Sequence, residues 1–243
     1  MNEQVNIITS AQPRAWFTSD LHFGHKKAHS FMPAFRDENV DIMDNMLIEM
    51  WNSVVNKRDI VYNLGDLSFY YELEPTLEII KQLNGHHFLI LGNHDGLIRK
   101  NSEKLLNMKK DDGLSMFEHI SHYHKIKTNA YHNKKVRAIL SHYPMFEWED
   151  CQYGNYMLHG HLHDYIPELE GRILNVGFDL HGKMLSVEDV FDFLEDIPVK
   201  GHHNNIDSKL IKETNSVIER KKLIKEALYH NNKNNMALLK ERV

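Results

Sequence analysis

Short apolar runs along this chain keep ending at polar residues that a buried strand has no structural need for. Ile60-Val61-Tyr62-Asn63-Leu64 stops at Gly65-Asp66, Phe88-Leu89-Ile90-Leu91 at Gly92-Asn93-His94-Asp95, and Val136-Arg137-Ala138-Ile139-Leu140 at Ser141-His142. Runs of this length bounded by Gly and polar residues read as strands ending in loops. Two further motifs, Asp20-Leu21-His22 and Gly160-His161-Leu162-His163, alternate polar and apolar residues. On a strand end, that alternation aims both polar side chains one way and turns the Leu into the core. Gly160 lets backbone pass close by. Such a pattern confines the chain to an α/β or α+β sheet fold whose site gathers at the carboxyl ends of the strands.

Together the motifs offer carboxylate, amide oxygen and imidazole, with no thiolate, the donor types that suit divalent first-row transition metals. They are numerous enough for two adjacent ions. Taken singly, Asp20-x-His22 reads equally as a polar pair at a strand end and Gly65-Asp66 as a turn. An ordinary turn has no need of the His in Gly92-Asn93-His94-Asp95, and the five motifs in this order point to a binuclear site.

The set Asp20-x-His22, Gly65-Asp66, Gly92-Asn93-His94-Asp95, Ser141-His142 and Gly160-His161-x-His163 resembles the calcineurin-like metallophosphoesterase superfamily over residues 15 to about 190. The wording from Trp16 to Lys26, with Asn175-Val176-Gly177-Phe178-Asp179, is similar to small stand-alone bacterial and bacteriophage members. The resemblance implies two packed mixed β-sheets flanked by helices, a four-layer α/β (α+β) sandwich. It implies that Asp20, His22 and His163 bind a first metal, that Asn93, His142 and His161 bind a second, and that Asp66 bridges both. His94 would stay off the metals and protonate the leaving oxygen or stabilise the charge building there. Two such cations lower the pKa of a bound water, orient a phosphate and neutralise an in-line transition state. Mn²⁺ is the expected ion, with Fe, Co, Ni or Zn as alternatives. The chain departs from the protein-phosphatase branch, where a second Asp and an Arg follow Gly-Asp: Phe69 and Tyr70 stand in those places, so a Ser/Thr phosphatase is not expected.

The expected activity is therefore phosphate-ester hydrolysis, with phosphodiesters of nucleotide type favoured over monoesters and pyrophosphates. Phe146, Trp148 and Tyr153, between His142 and His161, are read as a lid or pocket wall able to stack a nucleobase. His25 either lines the substrate pocket beside Lys26 or caps the following helix. A non-catalytic module of the same fold predicts missing ligands, and none of the seven is missing.

Of 18 His, those at His86-His87, His119, His122, His124 and His202-His203 read as surface or packing residues. Asp179 reads as a turn residue that, being strand-terminal, could also approach the site, and the single Cys151 as a buried or idle thiol. Met1 to Ile7 lacks a basic segment followed by an apolar stretch, and no run approaches a membrane span, so cytoplasmic residence is expected, in a host cell if the chain is phage-encoded. Residues 1 to 200 are read as one domain and 201 to 243 as a basic, helical extension behind the polar break Gly201 to Asn205. The extension carries nine Lys/Arg against five Asp/Glu, a net of +4, leaving −9 on residues 1 to 200 of a chain whose total is −5. Its apolar residues include Leu210, Ile211, Ile218, Leu223, Ile224 and Leu228. It could self-dock, form a homodimer or touch nucleic acid weakly, or be a solvated helix on the sandwich edge. A net −9 argues against tight binding of long polyanions.

Helices are expected over 37 to 56, from Pro75 to about Leu83, near 96 to 108 and over 187 to 196. Besides the motif strands, Ser115 to Lys127 and Lys134 to Leu140 flank a polar turn at Thr128 to Asn133, and Tyr156 to His159, Ile173 to Val176 and Met184 to Val187 supply further strands.

Overall fold

The computed structural model describes residues 13–127, 136–201 and 216–226. Thr128 to Lys135, with the expected polar turn and the start of the Lys134 to Leu140 strand, lies outside them, as do Met1 to Ile7, His202-His203, Leu210, Ile211 and Leu228. The chain divides into two compact units, residues 1–200 and 201–243.

In chain order the first unit holds β1 (Ala15–Thr18), α1 (Val40–Val54), β2 (Ile60–Asn63), α2 (Leu73–Gln82), β3 (His86–Ile90), α3 (Gly96–Lys100), α4 (Ser102–Asn107), β4 (His119–Ser121), β5 (Tyr123–Lys127), β6 (Arg137–Ser141), β7 (Tyr156–His159), β8 (Ile173–Asn175), α5 (Phe178–His181), β9 (Leu185–Ser186) and α6 (Val187–Leu194). They form two mixed sheets flanked by helices. One has the order β4-β3-β2-β1-β9, parallel except for β9; the other runs β5-β6-β7-β8, parallel except for β5.

Period-two alternation explains why both faces of these strands are apolar. Phe17, Tyr62 and Ile90 point between the sheets and meet Ala138, Leu140 and Leu158. Their chain neighbours Trp16, Val61 and Leu89 point outward against Met43, Leu47 and Trp51 of α1 and Leu77 and Ile80 of α2. On the far side of the second sheet Ile139 and Met157 are covered by Trp148 and Cys151. Each fully buried side chain of this size contributes roughly 1.5–3 kcal/mol.

Several element bounds differ from expectation. The stretch 115 to 127 is not one strand: after β4 pairs with β3, the chain turns at His122 and β5 joins the other sheet, so its strand character belongs to two sheets. The helix near 96 to 108 is broken at Asn101, whose side chain donates to the Leu97 carbonyl at 2.8 Å. Helix α1 starts at Val40, because Asn39 Oδ1 accepts the Asp41 and Ile42 amides at 2.9 and 3.2 Å; Asp37 lies outside it. Helix α6 opens on a reciprocal cap between Ser186 and Asp189.

In the second unit residues 217–226 are helical and largely exposed, with Val217 and Ile218 at 79% and 84% exposure. Among the described residues no helix is long and apolar enough to cross a membrane.

Candidate metal centre

Every parallel strand but β4 and β8 delivers its motif at its carboxyl end: Asp20 and His22 after β1, Asp66 after β2, Asn93 and His94 after β3, His142 after β6, His161 and His163 after β7. Asp20 and His22 are not on a strand, however. Strand β1 ends at Thr18, and both residues have left-handed backbone, φ 57° and 53°; His161 and His163, at 71° and 50°, repeat the arrangement after β7. The outcome expected of a strand is reached by a tight double turn instead. Asp66 is left-handed too, φ 52°, so five of the six described non-glycine residues with positive φ are these candidate ligands. Each such residue costs roughly 1–3 kcal/mol and persists only where its surroundings over-determine it.

The surroundings here are backbone hydrogen bonds and glycines. The Asp20 and His22 amides donate to the Gly65 and Asp66 carbonyls at 2.9 and 3.0 Å, and the His161 amide donates to Asp20 Oδ2 at 2.9 Å. A Cβ on Gly92 would stand 2.2 Å from Asp66 Oδ1, and one on Gly160 1.9 Å from Ser19 Oγ. These contacts are closer than any side chain can reach.

Two groups of ligand atoms result, each within 4.8 Å of one another: Asp20, His22 and His163, and Asp66, His142 and His161. Asp66 Oδ2 stands 3.8 Å from His22 Nε2 and 3.5 Å from His142 Nε2, between the groups. Asn93 Oδ1 lies 3.0 Å from His142 Nε2. All seven expected ligands are thus in one place.

The donor set suits a divalent cation. Both ring nitrogens of His22 are buried with no hydrogen-bond partner among the described residues, the Asp20 and Asp66 carboxylates standing 3.9 and 3.8 Å from Nε2. A buried group left this way costs roughly 1–3 kcal/mol. Burial pulls the His22 pKa down to about 3, so the imidazole is neutral and its lone pair free. His142 is oriented by Nδ1 donating to the Leu64 carbonyl at 2.8 Å, leaving Nε2 to face Asp66. For Asp66 burial alone would raise the pKa, but the hydrogen bond and charge of His142 outweigh it and hold the carboxyl ionised. Burial raises the pKa of Asp20, the carboxylate most in need of a counter-cation.

Three residues that hold the candidate ligands in place were given no such role in the sequence reading. Asp179 is no simple turn residue: fully buried, it takes His163 Nδ1 at 2.6 Å and Arg36 Nε at 2.5 Å. Arg36, 3% exposed, also donates to the Leu21 and Asp20 carbonyls at 2.8 and 2.6 Å. One guanidinium therefore holds the Asp20-Leu21-His22 turn and, through Asp179, the ring of His163. Asp95 accepts the Asp66, Leu67 and Gly92 amides at 2.8–2.9 Å and pins the Asp66 turn to the Asn93 turn. Its position in the Gly92-Asn93-His94-Asp95 motif was the available signal; Arg36 sits in a loop with no periodicity to betray it.

His94 is exposed. Its amide donates to Asp66 Oδ1 at 2.8 Å, and its ring lies against Phe69, centroids 4.6 Å apart. Phe69 also packs on His25 at 4.0 Å. The His25 ring caps no helix: the turn Ala28–Ser30 is met by the His25 backbone carbonyl, and the side chain lines a cavity together with Lys26.

A relative in Mycobacterium phage L5, the Gene 66 protein, is 31% identical over 201 residues, covering 75% of this chain and 94% of that protein. The chain belongs to the Gene 66 protein family of phages. A second Gene 66 protein, from Mycobacterium phage D29, is 28% identical over 199 residues. An uncharacterized protein of Methanocaldococcus jannaschii is 37% identical over 83 residues, about a third of this chain. A crystal structure of a protein of unknown function from Aquifex aeolicus has the same fold, with a TM-score of 0.54, 21% identity and 75% of this chain covered. No protein-family model matches.

In this Gene 66 family member the expected aromatic lid is not built. Trp148 is buried and donates to the Asn155 carbonyl at 2.8 Å, Phe146 lies 3.7 Å under the Lys200 ammonium, and Tyr153 lines a separate cavity with Arg137 and Arg172. That cavity opens at the amino ends of β6 and β7, the ends opposite to His142 and His161. Of the three, Trp148 covers the second sheet, while Phe146 and Tyr153 are exposed. The aromatic rings near the metal groups are instead Phe31, 4.5 Å from His163, Phe69, and Tyr143, 4.7 Å from His161.

Proposed function

We propose that this protein is a two-metal phosphoesterase that hydrolyses phosphodiesters of nucleotide type by attack of water. The observation that carries the reading is Asp66, a carboxylate shared between two His-containing groups, beside an imidazole, His22, with two buried unpartnered nitrogens. Asp20, His22 and His163 would hold one divalent ion, and Asn93, His142 and His161 the other. When bound, the pair would supply an activated water and a positive field on the phosphate. His142 and His163 present a fixed nitrogen because Leu64 and Asp179 engage the other one. His94, exposed beside Asp66, is placed to give a proton to the departing oxygen. Mn²⁺ is the proposed ion, imidazole being a poor partner for Mg²⁺. The named relatives in phages support residence in a host cytoplasm, and the basic segment beyond residue 200 is proposed as a site of homodimer contact.

The test is metal analysis together with hydrolysis of bis(p-nitrophenyl) phosphate before and after chelation. Mn²⁺ is expected to restore activity to chelated protein, with Co²⁺ or Ni²⁺ as weaker substitutes. Asp66→Asn is expected to abolish turnover and empty both positions, since it removes the charge that offsets repulsion between two cations. Full activity after dialysis in excess chelator overturns the proposal.

A further inference from the structure

Beside the metal groups lies a cavity of about 920 Å³ lined by Gly24, His25, Lys26, Lys27, residues 38–41 and 69–71. Its volume is at the upper end of small-molecule pockets, which run from about 300 to 1,000 Å³. Phe69 and His25 form its wall toward the ions: the Phe69 ring is 5.8 Å from His22 and 4.6 Å from His94, and His25 is 5.5 Å from His22. A group esterified to a phosphate at the ions therefore leads directly into this cavity.

The lining of this cavity has two features that the fold does not account for. Tyr71 is 91% exposed, although an aromatic ring of this size gains most from being covered. Its neighbour Tyr70 is the contrast, with its hydroxyl held by Asp44 at 2.9 Å and its ring closed over Gly24, where a Cβ would stand 2.6 Å away. Lys26 and Lys27, on the same lining, are exposed and have no ion-pair partner among the described residues. Glu38, 3.5 Å from His29, adds a carboxylate to the same lining.

Resting on the proposed phosphodiesterase activity, we infer that this cavity is a subsite for the nucleotide next to the scissile phosphate in a short single-stranded oligonucleotide. Tyr71 stacks its base, and Lys26 and Lys27 take its far phosphate. Stacking on an aromatic side chain is tolerant of sequence and suits a single strand, while two lysines suit one phosphate without demanding base identity. The net −9 of residues 1 to 200 limits the ligand to a few nucleotides, because a long polyanion meets repulsion beyond the subsite.

The experiment uses the full-length Mn²⁺-loaded protein and three substrates: bis(p-nitrophenyl) phosphate, which has no base or second phosphate, a dinucleoside monophosphate and a trinucleotide. Tyr71→Ala is expected to raise KM on the dinucleoside monophosphate roughly tenfold or more relative to its effect on the nitrophenyl ester. Lys26→Ala with Lys27→Ala is expected to add a loss seen on the trinucleotide alone and to flatten its salt dependence. All three side chains are exposed, so the variants fold. Equal effects on the three substrates overturn the inference. Binding of a phosphorothioate-linked trinucleotide, followed by fluorescence anisotropy, decides the matter independently of turnover. If the unmutated protein hydrolyses nothing, the activity reading fails by itself. Affinity unchanged by Tyr71→Ala and by the lysine pair overturns the subsite.

Discussion

Arg36 and Asp179 show how far the fixing of a ligand extends beyond the ligand. Asp179 is 0% exposed and holds His163 by Nδ1, so the ring can offer only Nε2 to an ion. The hydrogen bond from His163, together with Arg36, keeps Asp179 ionised although burial opposes it. Asp179→Asn keeps the shape and removes the charge. It is expected to weaken the ion at Asp20, His22 and His163 roughly 10–100-fold while sparing the one at His142 and His161. A competitive-chelator titration would then show one weak and one ordinary site, and uniform weakening of both would refute this division of labour. His94 differs, since its hold on Asp66 is through the backbone amide, which a side-chain substitution leaves in place. His94→Ala should retain both ions and lose roughly 10²–10⁴ in rate on an alkyl ester, and much less on a nitrophenyl ester whose leaving group needs no proton. Equal losses on both would assign His94 to charge stabilisation instead.

At the scale of elements, glycines decide whether the loops can meet. Gly160→Ala would drive a Cβ into Ser19 Oγ and Asp20 Oδ2, 1.9 and 2.5 Å away, and cost roughly 1–3 kcal/mol of stability as overpacking. Adding Ser19→Ala removes the closer clash and should recover part of that loss, a coupling readable in urea unfolding of the two single variants and the pair. The importance of Gly160 was legible in the sequence, as were β2, β3, β6 and β7, because each strand is an apolar run with a polar stop. The left-handed turns at Asp20, His22, His161 and His163 were not. A polar-apolar-polar triplet looks the same whether it alternates along a strand or folds as a double turn, and Leu21 is buried either way. The break between β4 and β5 was hidden for a similar reason, since residues on both sides of His122 favour strands and only tertiary pairing decides which sheet takes each. Trp148 misled by composition, since an aromatic residue near a ligand in sequence can serve the far face of a sheet.

Across the whole molecule, acid sensitivity should come in part from His87. It is buried against Trp51, ring centroids 5.3 Å apart, with Nε2 on the Asn84 carbonyl at 3.0 Å, and burial holds its pKa at about 3 against an ordinary 6.5. The folded state thus stays unprotonated where the unfolded chain takes up a proton. The stability His87 permits is complete above pH 6.5 and declines as pH falls from there toward 3, by up to about 1.4 kcal/mol per pH unit. His87→Phe should flatten the urea-midpoint profile between pH 6.5 and 4, whatever it does at pH 8, and an unchanged slope would show that other groups carry the acid response.

The left-handed turns also fix an order of events during synthesis. Asp20 is among the first of the site residues to leave the ribosome, yet its carboxylate is held by the amide of His161, 141 residues later, and Arg36 waits 143 residues for Asp179. A nascent chain that has not reached Asp179 lacks the carboxylate that engages Arg36 and the His163 ring, and one that has not reached His161 also lacks the amide that holds the Asp20 carboxylate. If the site holds ions as proposed, cation capture is a closing act that waits for His161 and His163, and an arrested chain that ends before His161 should retain no metal through gel filtration.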